Sequence, residues 1–67
     1  MKVKVLLDVP AEAPGNYLMR DVHAGEEFYV FRGATYGCID TSVGIALSEK
    51  GELLYPFFEF PREAVDL

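Results

Sequence analysis

The chain has 67 residues, a net charge of −5 and a pI of about 4.6. That length allows one domain, expected to span residues 1–67, and a core that rarely supplies more than about 3–5 kcal/mol without a staple. A single cysteine excludes an internal disulfide, the lack of a Cys/His cluster excludes a structural zinc site, and the acidic balance disfavours nucleic acid and anionic membranes as partners.

Residues 2–7, KVKVLL, alternate. Val3, Val5 and Leu7 share one face of a half-buried strand, with Lys2 and Lys4 on the other. Residues 8–16, DVPAEAPGN, form a loop, because Pro10 and Pro14 break a helix and donate no ladder bond. Residues 17–22, YLMRDV, fit either a short extended piece or one helical turn, and His23-Ala24-Gly25 reads as a turn. Residues 26–31, EEFYVF, are the next strand, with Phe28 and Val30 on one face and Tyr29 and Phe31 on the other.

Residues 36–40 and 43–48 are β-prone. Val43, Ile45 and Leu47 are expected on one face. Gly44 and Ala46 on the opposite face leave room for a close approach. Residues 49–52, EKGE, read as a hairpin turn with Gly51 at the positive-φ position. Residues 53–60, LLYPFFEF, read as a strand bent at Pro56. Pro61 then opens a 3₁₀ turn with its preset φ, and AVDL closes the chain as a short strand. No segment of ten or more residues carries a capped 3.6-residue period. The expected fold is therefore all-β: about five short strands, closed as a small barrel because closure removes exposed edges.

This order of parts resembles the five-stranded barrel of the Src-homology-3 kind. It has a strand, a long proline-containing loop, a glycine turn before a strand (HAGEEFYV), hairpin-linked strands, then a 3₁₀ turn and last strand (FPREAVDL). The resemblance implies the fold. It does not carry over proline-rich peptide recognition, because the family's groove uses a Trp and a Tyr. This chain has no Trp, Ala64 stands at the place of that Tyr, and only Pro61 matches. YGCIDTSVGIAL followed by FFEFPREAV also loosely resembles small proteins of tailed bacteriophages, which implies only an accessory or host-directed binding role.

Candidate chemistry is sparse. Cys38 and His23 are the one nucleophile–base combination available. Cysteine more often behaves as a small buried hydrophobe, so Cys38 is read as structural and Asp40 as the cap of the turn before TSV. His23 is read as an exposed turn histidine, since one histidine builds no site alone. Asp21, Glu26 and Glu27 lack the ordered Asp/Asn/Gly loop of a calcium site, and no glycine pattern matches a phosphate loop. No catalytic, metal or cofactor site is expected.

The aromatic residues remain. Phe58 and Phe60 are expected in the core. Tyr29, Phe31, Tyr55 and Phe57 lie on the opposite strand faces. Two alternatives follow for these four: an exposed patch that contacts a protein, or a second core layer. The leading functional expectation is a non-enzymatic protein-binding module using that patch, with self-association as one form of it. The alternatives are a nucleic-acid-associated barrel, an acidic mimic of nucleic acid, and a small enzyme using Cys38. One cysteine and the alternating, cleavage-site-free N-terminus MKVKVLLDVP lead to a cytoplasmic expectation.

Overall fold

The computed structural model describes residues 1–31, 41–50 and 57–67. It is all-β, with an antiparallel sheet in the order β1-β2-β3-β4 and one 3₁₀ turn; among the described residues there is no α-helix. The strands are β1 (Lys2–Lys4), β2 (Glu27–Val30), β3 (Gly44–Ser48) and β4 (Phe58–Pro61), and the turn is Arg62–Ala64. No helix among these residues is long and apolar enough to cross a membrane.

Alternation sets the inner face. Val3 pairs with Phe28, Val30 with Leu47, and Ile45 with Phe60, and all six side chains are buried. Val5, Val9, Val22, Phe58, Ala64 and Val65 complete one cluster. At its centre the rings of Phe28 and Phe58 meet edge to face, with centroids 5.2 Å apart. Burying such side chains contributes roughly 1.5–3 kcal/mol each, so this cluster is the main source of stability.

The chain's last residues join the other edge of β1. Successive backbone amides of a strand point to opposite edges. Val5 donates its N–H to Glu26 on the β2 side (2.8 Å), whereas Leu6 donates to Ala64 (2.7 Å) and Asp66 donates back to Lys4 (3.0 Å). An isolated bridge between Val5 and Val65 lies in that pairing. A second isolated bridge, Val9 with Val22, folds residues 9–22 into a long loop.

Two sequence expectations are corrected by these packings. Leu7 is not on the core face: the strand ends at Lys4, the pairing stops near Leu6, and Leu7 is half exposed. Val43 is not aligned with Ile45 and Leu47, because β3 begins at Gly44 and Val43 sits in the preceding bend, largely exposed. Among the described residues four strands form; the strand expected at 36–40 and the first part of that expected at 53–60 lie outside them. The closing AVDL segment contributes the isolated bridge at Val65, the Ala64 carbonyl that accepts the Leu6 N–H, and two bonds through Asp66, one through its backbone and one through its side chain. Cys38, Asp40, the Gly51 turn, Tyr55 and the Pro56 bend lie outside the described residues.

Candidate functional site

The three described aromatic candidates, Tyr29, Phe31 and Phe57, do not form one exposed patch. Phe31 is buried, at 5% exposure, and its ring stacks on that of Phe57 with centroids 4.5 Å apart and planes 20° apart. The cause is in β3. Continuing the strand registers by one residue sets Phe31 beside Ala46 and Phe57 beside Ser48, and Phe31 donates its N–H to Ala46 at 2.9 Å. Gly44, Ala46 and Ser48 form a stripe of small, buried residues on this outer face. A small central strand lets rings from the strands on either side meet above it. The close approach read at Ala46 is therefore made by the chain's own aromatics, whereas Gly44 pairs with Pro61. Tyr29 is half-buried, with the Lys2 ammonium 5.3 Å from its ring centroid, and Phe57 is half-buried beside Phe31.

The other candidate side chains sit apart. His23 is exposed in its turn, with Nδ1 3.9 Å from Asp8. The turn is completed by Gly25 at φ +98°, a left-handed conformation that glycine takes without strain. Asp21, Glu26 and Glu27 each answer to a different partner. Asp21 accepts the Ala11 N–H at 2.8 Å, Glu27 lies 3.6 Å from Lys2, and Glu26 pairs with Arg20. That last contact uses both guanidinium nitrogens, at 3.0 and 3.4 Å, and the same Arg20 reaches Glu49 at 3.2 Å. The Arg20 bond, with the His23 N–H at 2.8 Å behind it, holds the Glu26 carboxyl below the usual glutamate range.

Two residues that carry local structure were invisible to periodicity. Thr41 Oγ1 accepts the N–H groups of Val43 (3.2 Å) and Gly44 (3.1 Å) and so caps the bend entering β3. Asn16 is buried at 6% exposure. Its side-chain amide donates to the carbonyls of Val9 (3.3 Å), Pro10 (2.9 Å) and Arg20 (3.2 Å), and its carbonyl accepts the Leu18 N–H (3.0 Å). The Asn-Tyr juncture at the end of a proline-rich loop was the only available signal.

These bends build a groove. The loop residues Pro14 and Gly15 face the start of β3 at Val43 and Gly44, across Glu59 and Glu63, enclosing about 380 Å³. Gly15 is at φ +86°, and a Cβ there would stand 3.2 Å from Pro61 Cγ, so the loop lies directly on that proline. A second depression of about 250 Å³ adjoins it across Pro14, Pro61 and Glu63 and is lined by Leu7, Pro10 and Ala64. Prolines and aliphatic residues predominate among the lining of the two together, and Asp8, Glu59 and Glu63 are their charged members. No described basic side chain lines either depression. No protein-family model matches the chain, and neither a curated protein nor a solved structure matches it.

Proposed function

We propose that this chain is a non-enzymatic protein-binding module on a Src-homology-3-type barrel, and that its groove takes an extended, positively charged segment of a partner protein. The observation that carries this reading is the groove itself. It consists of two adjoining depressions lined by Leu7, Pro10, Pro14 and Pro61 together with Asp8, Glu59 and Glu63. An apolar lining with sparse, like-signed charge suits an extended chain whose apolar side chains seat between prolines while a lysine or arginine meets the carboxylates. The pairing of Leu6 and Lys4 with Ala64 and Asp66 supports the fifth strand that a barrel needs. An accessory or host-directed role is the setting that the phage resemblance supplies.

The aromatic residues move from the contact surface to its foundation: Phe31 and Phe57 stiffen β3, whose first residue, Gly44, lines the groove. The test is selection of random twelve-residue peptides displayed on phage, followed by amide chemical-shift mapping with the enriched peptides. Enrichment of Lys- or Arg-containing peptides that shift Gly15, Val43, Gly44, Glu59 and Glu63, with affinity falling as salt rises, supports the reading. No enrichment, or shifts centred elsewhere, overturns it.

A further inference from the structure

The wall of the groove continues into a bend that carries strain. Gly15 lines the groove, and Tyr17 donates its N–H to the carbonyl of Glu59, another lining residue, at 3.0 Å. Asn16, between them, fastens the bend through its three donated bonds to Val9, Pro10 and Arg20 and its accepted bond from Leu18. Within that bend Met19 holds φ +71°, the one positive φ outside glycine among the described residues. Methionine has no local hydrogen bond to offer a left-handed backbone, whereas glycine or asparagine takes it with less strain. Nor does packing explain the choice: Met19 is 86% exposed, and Tyr17 beside it is 63% exposed. A strained backbone that presents an apolar side chain to solvent costs stability without adding to the core.

We infer that Tyr17 and Met19 are specificity-determining contacts for the segment that fills the groove. The inference rests on the groove reading and extends it. The basic side chain of the segment meets Glu59 and Glu63, and an apolar side chain further along it packs on Met19 and the Tyr17 ring. An unbranched thioether adapts its shape to such a neighbour, and an aromatic ring adds contact area with few rotors to freeze.

The experiment uses the peptides enriched on the wild-type protein and measures their Kd, together with the melting temperature, for four variants. Met19→Asn should melt higher than wild type and Met19→Gly no lower, because each relieves the left-handed strain while glycine adds backbone freedom to the unfolded chain, and both should bind about fivefold or more weakly. Tyr17→Ser should melt as wild type and bind more weakly. Met19→Leu, which keeps an apolar side chain, should bind within about twofold. The asparagine variant separates lost contact from added glycine freedom, since it keeps the bend without a glycine. If groove-bound peptides bind Met19→Gly and Met19→Asn as tightly as wild type, this inference is wrong and the groove reading stands. If the wild-type protein enriches no peptide, or the peptides miss the groove, both fall together.

Discussion

Two residues show how position overrides residue type. Met19 is apolar yet exposed and strained; Phe31 lies on the strand face opposite the main core yet is buried. A left-handed backbone costs a non-glycine residue roughly 1–2 kcal/mol, and glycine loses about 0.5–1 kcal/mol more backbone entropy on folding. Met19→Gly should therefore leave stability unchanged or raise it by up to about 1.5 kcal/mol, which urea denaturation measures. Phe31 gives the opposite expectation. Its burial at 5% and its stack on Phe57 put it with the core residues, so Phe31→Ala should cost several kcal/mol, toward the roughly 3–5 kcal/mol of a fully buried phenylalanine such as Phe60. A melting temperature for Phe31→Ala close to wild type would show that the aromatic stack adds little to stability.

At the scale of elements, β3 is the strand on which both faces depend. Its five residues are all buried, with Ile45 and Leu47 toward the main core and Ala46 under the Phe31–Phe57 stack. Enlarging the outer face should cost more than its chemistry suggests: Ala46→Leu is expected to lose about 1–3 kcal/mol by overpacking. Val43→Ser, one residue before the strand and largely exposed, should change stability by less than about 0.5 kcal/mol. The long loop is tied to the strands by the Arg20–Glu26–Glu49 network. Because the folded state lowers the Glu26 pKa, chiefly through the Arg20 bond, the stabilisation is present above the unfolded glutamate pKa and is lost as pH falls through the lower, folded value. The same pairing raises the Arg20 pKa, far above any pH at which the fold would be assayed. Glu26→Gln should flatten that acid limb in melting curves taken stepwise from neutral pH downward. The effect is expected to be modest, since half-exposed ion pairs contribute about 0.2–1 kcal/mol.

For the whole molecule, the decisive contact joins its two ends. Val65 is buried at 5% and bridges Val5, while Asp66 accepts the Lys4 N–H on its carboxylate at 2.7 Å and donates its own N–H to the Lys4 carbonyl. Removing residues 65–67 strips one core valine, worth roughly 1.5–3 kcal/mol, and the hydrogen bonds of Asp66 along one edge of β1. A domain of this size has about 3–5 kcal/mol in total. The truncated chain is therefore expected to show no cooperative thermal transition by circular dichroism, and a sharp transition would place the main stabilisation elsewhere. Joining the ends also brings the 3₁₀ turn against the long loop, where Pro61 meets Gly15, so the groove and the end-to-end pairing form together.

Read alone, the sequence determined which faces of KVKV, EFYV and FEF point inward, where the turn at Gly25 falls, and that Pro61 opens a 3₁₀ turn. Those features follow from a side-chain period of two and from the fixed φ preferences of glycine and proline, which act within a few residues. Only tertiary structure decided that Leu7 and Val43 lie outside the core and that Phe31 lies inside. Alternation distinguishes the two faces of a strand but does not say whether the second face is covered. At Phe31 the cover comes from Phe57, twenty-six positions on, over a stripe made small by Ala46 and Ser48. The groove was equally illegible. It arises where residues 7–15, 43–44 and 59–64 converge, and Asn16 and Thr41 shape its walls through bonds to backbone groups that no periodic pattern records.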